Sequence, residues 1–147
     1  YMKRKHSLLI GDQTAEAIKM SIGNAFPSDE KPKIYDVKGR DLISGSPKVK
    51  EVTSDEIRLA LSDAISEIVD AIKLSLEKAP PELASDIIDN GILLTGGGSL
   101  LANLDVLIKE KTGLPVLLAE DPLISVVVGC GKVLESPALL KQVTYLG

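Results

Sequence analysis

The sequence predicts an α/β fold in which a small antiparallel β unit precedes a strand–helix–strand–helix unit. Three observations carry that prediction. Ile92-Leu93-Leu94-Thr95 and Pro115–Leu118 are short apolar runs separated by a leucine-rich helical stretch, the order of a parallel pair with a crossover helix. Ile34–Val37 and Lys48–Val52 alternate apolar and polar residues, as half-buried strands do. Between these regions lies a run whose apolar residues recur at helical spacing, long enough to link two packing units.

Taken in order, Tyr1–His6 is basic and reads as the middle or end of a helix, and because the chain opens on Tyr1 it is expected to lie within a longer protein. Gly11-Asp12-Gln13-Thr14 leads into Ala15, Ile18 and Ile22, an amphipathic helix ending near Gly23-Asn24 with Pro27 beyond. Ser28–Lys33 is a charged loop containing Pro32, and the two alternating strands come next, with a short strand piece expected at Leu42-Ile43 between tight turns. So small a sheet needs a helix packed against it. Thr53-Ser54-Asp55-Glu56 has the capping-box pattern, with Thr53 as N-cap and Glu56 at N3. The helix after it places Ile57, Leu61, Ile65, Ile68, Ile72 and Leu76 on one stripe and stops at Pro80-Pro81, where Pro81 opens a short helix through Ile88.

In the last third, continuous apolarity marks Ile92–Thr95 as a strand covered on both faces. Gly96-Gly97-Gly98-Ser99 is expected to turn directly into a helix carrying Leu100, Leu101, Leu104, Leu107 and Ile108, closed by Gly113. Asp121, as N-cap before Pro122, opens a helix whose small and apolar residues, Val126 to Gly131, read as buried, with Cys130 an inert core thiol.

Composition narrows the function. Charged residues are 26% and hydrophobic residues 44% of 147, the balance of a folded, soluble domain and not of a disordered chain. A net charge of −4 and 3% aromatic residues argue against nucleic acid as a partner. One cysteine excludes an internal disulfide framework, and Cys130 with His6 alone cannot build a metal cluster. No apolar run reaches the length of a membrane span and no signal peptide opens the chain, so a cytoplasmic location is expected.

The triple glycine is the feature with chemical content. Without Cβ atoms, Gly96, Gly97 and Gly98 admit positive φ and let a ligand lie on bare backbone beside a helix start. Phosphate or nucleoside binding is the chemistry that suits it, and a plain tight turn is the alternative. Neither the Walker A nor the Rossmann spacing is present. No catalytic constellation is visible: His6 reads as a surface residue, and Glu16 with Lys19 as a solvated i,i+3 pair.

Several stretches in the same order resemble the MreB family of bacterial actin homologues. Leu8-Leu9-Ile10-Gly11-Asp12-Gln13-Thr14-Ala15-Glu16 is similar to that family's Ile-Gly-Glu-Arg-Thr-Ala-Glu stretch, departing from it at Asp12-Gln13. The likeness continues through Ile22–Pro27, Gly39–Leu42, Pro80–Ile87, Gly91–Leu101 and Asp121–Leu123, so it covers Lys3 to about Leu134. It implies the actin-like ATPase (ribonuclease H-like) fold, here the C-terminal half of the second lobe, with a small IIB-like subdomain over residues 1–60 and a IIA-like part over 61–147. It implies a filament-forming, ATP-binding cytoskeletal protein that determines rod shape by organising wall synthesis. Within it Gly96, Gly97, Gly98, Ser99 and Leu100 cradle the adenosine, and the helix bearing Glu16, Ala17, Ile18 and Lys19 closes over it from the other side. ATP or ADP with Mg²⁺ is the expected ligand of the intact protein. This fragment alone is expected to be inactive, because the phosphate hairpins and metal-positioning residues belong to the missing N-terminal part. The implied partners are other copies of the subunit, a RodZ-like membrane adaptor and the wall-synthesis machinery. Contact with the inner face of the cell membrane is expected only through the missing part. Two alternatives stand beside this reading: an interaction lobe that binds a membrane adaptor without nucleotide, and the C-terminal lobe of another actin-fold ATPase such as a sugar kinase or chaperone.

Overall fold

Backbone hydrogen bonding in the computed structural model, which describes residues 1–144, sets out a three-stranded antiparallel sheet and a two-stranded parallel one. The last residues of the expected 61–147 unit, 145–147, lie outside the described residues. Helix α1 (Met2–His6) ends where Ser7 turns left-handed at φ 50°, and β1 (Leu8–Leu9) begins at once. Helix α2 (Asp12–Ile22) and strands β2 (Ile34–Asp41) and β3 (Pro47–Thr53) come next, in sheet order β1-β2-β3. Register is fixed by Leu8 opposite Asp41 and Val37 opposite Lys50. Gly39 is required where β1 crosses: a Cβ there would lie 2.6 Å from the Leu9 carbonyl oxygen.

Leu42-Ile43 is a turn and not the strand piece its residue types suggest. The cause is Asp41, whose carboxylate accepts the N–H groups of Ile43 (2.8 Å) and Ser44 (3.0 Å), while its carbonyl accepts that of Gly45. A local side-chain acceptor outcompetes the ladder there, so β2 runs straight through Gly39-Arg40 and gains β1 as a neighbour, a strand too short for its period to show. The sheet's inner face meets α1, α2 and the start of the next helix in a core of Met2, Leu8, Ile18, Ile22, Val37, Val52 and Ile57. Leu8, Val37 and Val52 are fully buried, each contributing about 1.5–3 kcal/mol.

Helix α3 (Ser54–Glu77) begins with the expected capping box: the Glu56 N–H donates to Thr53 Oγ1 (3.3 Å) and the Thr53 N–H to Glu56 Oε2 (3.1 Å). Its 24 residues span about 36 Å, and they pass from one core to the other. Ile57 belongs to the first core, Ile65 to the second, and Leu61 packs against both. A 3₁₀ turn at Pro81–Leu83 and α4 (Ala84–Asn90) lead to β4 (Ile92–Leu94), α5 (Leu104–Thr112) and β5 (Val116–Leu118). Strands β4 and β5 are parallel, with Leu93 opposite Leu117. Helices α6 (Ser125–Glu135) and α7 (Pro137–Thr144) close the described chain. The second core gathers Ala25, Ile65, Leu104 and Ile108, flanked by Ile92, Leu94 and Val116.

Here the structure departs from expectation in one consistent direction. Leu93 is 65% exposed, and Leu117, paired with it on the same face, is also exposed, so β4 and β5 are covered on one face by this chain. Val126, Val127, Val128 and Cys130 on α6 are exposed and not core, and a Cβ on Gly129 or Gly131 would meet nothing within 4 Å. A closed globule of this mass exposes about 7,300 Å², whereas this chain exposes 10483 Å². Apolar runs report that a surface needs covering; they do not report what covers it. Asp121 is not the N-cap of α6 either. That position is Ile124, and Asp121 serves through its backbone carbonyl, which accepts from the Ile124 N–H and from Ser125 Oγ.

Candidate nucleotide-contact site

The glycine loop takes its shape from the contacts made just beyond β4. Gly96 adopts φ 81°, open to glycine and strained for other residues, and its N–H donates to the Pro122 carbonyl (2.8 Å), as does Thr95 Oγ1 (3.1 Å). Ser99 folds back, its hydroxyl donating to the Gly96 carbonyl at 2.6 Å. The expected continuous helix does not form. Gly97–Leu100 makes a single 3₁₀ turn, the chain breaks at Leu101–Asn103, and α5 starts only after Asn103, left-handed at φ 58°. An extended Leu101 followed by the left-handed Asn103 explains the break, which leaves the loop with no long helix dipole behind it. A Cβ at Gly97 would come 3.1 Å from Leu123 Cδ2, while one at Gly98 or Gly96 would meet nothing within 4 Å. The loop therefore presents a flat, side-chain-free surface with Gly97 and Gly98 exposed and Ser99 half-buried. Leu100 is 52% exposed.

Helix α2 is fastened to the segment just after this loop. The Ala25 N–H donates to the Ala102 carbonyl (2.8 Å), within a parallel bridge between Asn24 and Ala102. Asn103 Nδ2 donates to Asn24 Oδ1 (3.0 Å), which also accepts the Phe26 N–H (3.1 Å). Gly23 fits between the two elements: a Cβ there would lie 2.2 Å from the Lys19 carbonyl oxygen and 3.0 Å from Leu101 Cδ1. Residues 79 apart in sequence are thus joined side chain to side chain. Sequence reasoning passed over Ala102 and Asn103 and used Asn24 only as the end of a helix; the signal was Asn103, an asparagine and so tolerant of left-handed backbone, just before the packed Leu104.

Among the named site residues, Glu16 and Lys19 are exposed, and the expected i,i+3 ion pair between them does not form. Ala17 is half-buried. Ile18, 3% exposed, points its side chain into the first core and holds α2 in place. Lys19 also lines a groove of about 410 Å³ between α1, α2 and α3, with Tyr1, Lys3, Asp12 and Leu61. The glycine loop does not line that groove.

His6 is not the surface residue its basic neighbours suggest. Its side chain is 10% exposed, with Nε2 3.2 Å from Glu56 Oε1 yet not aligned for a hydrogen bond. The left-handed Ser7 turns it against the cap of α3. Lys5 reaches the same carboxylate at 3.0 Å, and that hydrogen bond holds the Glu56 carboxyl below its usual range. Among the described residues no three His, Cys, Asp or Glu side chains gather as a metal site.

A sheet-bearing unit and a parallel β–α–β unit, joined by one long helix and fastened together beside a glycine loop, form part of the second lobe of an actin-like protein. The structure superposes on MreB 5 of Spiroplasma citri bound to AMPPNP with a TM-score of 0.88, at 35% identity over 99% of this chain. Residues 1–142 match the family described as MreB/Mbl protein. The cell shape-determining protein MreB of Escherichia coli is 51% identical over 135 residues, and Mbl of Bacillus subtilis 45% identical over 136, each covering 92% of this chain. The chain belongs to the MreB/Mbl family. It spans 39% of the length of the Escherichia coli relative and 43% of the Spiroplasma citri chain.

Proposed function

We propose that this chain supplies the adenosine side of the nucleotide site in a filament-forming, actin-like protein that determines rod shape by organising wall synthesis. The observation that supports this is the Asn24–Ala102 seam, which fastens the end of α2 to the segment just after the glycine loop, where a Cβ on Gly96 or Gly98 would meet open space. The solved MreB 5 from Spiroplasma citri, whose fold this chain shares, has AMPPNP bound in one structure and ADP in another. In this reading residues 1–60 act as the IIB-like subdomain and 61–147 as the IIA-like part. Gly96, Gly97, Gly98, Ser99 and Leu100 lie under the purine and ribose, with Glu16 and Lys19 reaching across from α2 and Ala17 and Ile18 backing them.

The bare backbone fits a flat base, and the exposed Glu16 and Lys19 side chains, which form no ion pair among the described residues, are available to bond ribose or base. ATP with Mg²⁺ supplies the phosphoryl chemistry in the intact protein; this chain orients the nucleoside. Copies of the subunit are its first partners, with a RodZ-like adaptor and the wall-synthesis machinery beyond them, at the inner face of the cell membrane.

Calorimetric titration of ATP and ADP, with Mg²⁺, into this chain and into a full-length protein carrying it tests the reading. Binding is expected in the full-length protein and weak or absent in the chain alone. Gly98→Val places its side chain in open space at ordinary φ, so it should leave the melting temperature unchanged. It should weaken nucleotide binding by about tenfold or more, equivalent to about 1.4 kcal/mol. Unchanged affinity in that variant would remove the loop from the site.

A further inference from the structure

Three backbone hydrogen bonds connect the two sides of the candidate site. The Gly23 N–H donates to the Lys19 carbonyl (2.9 Å), the Ala25 N–H to the Ala102 carbonyl (2.8 Å), and the Leu101 N–H to the Gly98 carbonyl (3.2 Å). Lys19 and Gly98, the residues assigned to opposite sides of the nucleoside, each lie about one turn from the bridge between Asn24 and Ala102. The middle link is a single backbone bond, about which two elements can still pivot. A second bond beside it removes that freedom.

That second bond is built from side chains. Asn24 Oδ1 accepts the Phe26 N–H (3.1 Å) and Asn103 Nδ2 (3.0 Å). The backbone donor must face the amide oxygen of Asn24, so Asn103 has to present its NH₂ group. The pair is therefore directional, with Asn24 the acceptor and Asn103 the donor. Asn103 occupies the N-cap position of α5, where an asparagine ordinarily bonds the first turn of its own helix. Here its side chain makes no cap bond and reaches the other unit instead. Its φ of 58° would suit glycine better, but glycine carries no donor.

We infer that Asn24 and Asn103 are positioning residues for nucleoside binding: their bond fixes the span between Lys19 on α2 and Gly98 on the loop, acting through those two elements and not on the nucleotide. The inference rests on the adenosine reading and adds to it the pair that sets the spacing of its two sides. A ligand held between two surfaces makes full contact with both at one spacing only, and a site already held at that spacing binds without the cost of ordering it. Asn24 Oδ1 is suited to this because one atom ties the chain leaving α2 to the chain entering α5.

Titration of ADP into a full-length protein carrying this chain, at a temperature where every variant is folded by circular dichroism, tests it. Asn24→Ala and Asn103→Gly, the second keeping the left-handed turn, should each weaken binding about fivefold or more, chiefly through faster dissociation. The double variant should lose no more than the weaker-binding single one, because both remove the same bond. Asn24→Asp keeps an oxygen for both donors and should bind as wild type does. If Asn24→Ala does not fold, Asn103→Gly and the Asn24→Asp rescue carry the test. Wild-type affinity in the asparagine variants, with Gly98→Val weakened, overturns the inference and leaves the adenosine reading in place. Wild-type affinity in all of them removes that reading and the inference with it. Weakened asparagine variants beside an unaffected Gly98→Val, additive losses in the double variant, or Asn24→Asp as weak as Asn24→Ala would each assign the effect to general loosening and also overturn it.

Discussion

The two cores of this chain are built from similar residues and end in opposite conditions. Around Leu8, Val37 and Val52 the small sheet is sealed by α1, α2 and the start of α3, and those three side chains are fully buried. Around Ile108 the parallel pair is covered on one face, and Leu93, Leu117, Leu123 and Val126 stand in water. The first unit carries its own cover; the second presents apolar surface of the kind that another polypeptide surface covers. The difference shows that hydrophobic patterning specifies burial without specifying whose atoms provide it.

The most direct way to break this contrast is a pair of truncations read by chemical denaturation. Leu8→Ala should destabilise the chain by about 2–5 kcal/mol, whereas Leu93→Ala, at a 65% exposed position, should stay within about 0.5 kcal/mol. Equal losses would show that the second face is sealed after all. The seam joining the two units is the next target. Gly23→Ala forces a Cβ onto the Lys19 carbonyl and should cost about 1–3 kcal/mol, with loss of amide-exchange protection at Ala25. Protection retained there would mean that the units hold together without the seam.

A smaller effect tests the capped start of α3. Thr53→Ala removes one arm of the capping box and should cost about 1 kcal/mol, read as a lower denaturation midpoint. The last test is a pH dependence. The Lys48 hydrogen bond, with the Ser44 and Ile43 N–H groups, holds the Asp41 carboxyl well below the ordinary carboxylate range. A carboxyl depressed in the folded state stabilises the fold above its unfolded value near 4, and that contribution fades as pH falls further. Asp41→Asn should therefore melt a few degrees lower than wild type at neutral pH, and the gap should close on acidification below about pH 4. A gap that persists in acid would assign the effect to packing.

Much of this architecture was legible where the determinants are local. The Thr53–Glu56 box, the α2 stripe of Ile18 and Ile22, and the stop at Pro80-Pro81 depend on neighbours within a turn, and the structure has them. The two-residue β1 was illegible because its length holds no period, and the Leu42-Ile43 turn because a single carboxylate overrode strand propensity. At the candidate site the glycines were conspicuous. The break at Leu101–Asn103 and the seam to Asn24 were not, since both arise from pairing between distant residues. Val126 to Cys130 misled because their apolarity answers to a surface that this chain does not itself supply.

Helix α3 has a mechanical consequence. It is clamped at its start by the capping box and by Lys5 on Glu56, passes Leu61 between the two cores, and runs on to Glu77 beside the second. A rigid rod of that length is a lever: tilting it by about five degrees about the clamped end sweeps the far end through about 3 Å. Leu61 lies close to the clamp, where the same tilt moves it by about 1 Å or less, within what packed side chains accommodate. Small rotations in the sheet-bearing unit are therefore amplified where α3 passes the parallel strands, while Leu61, near the clamped pivot, keeps its contacts with both cores.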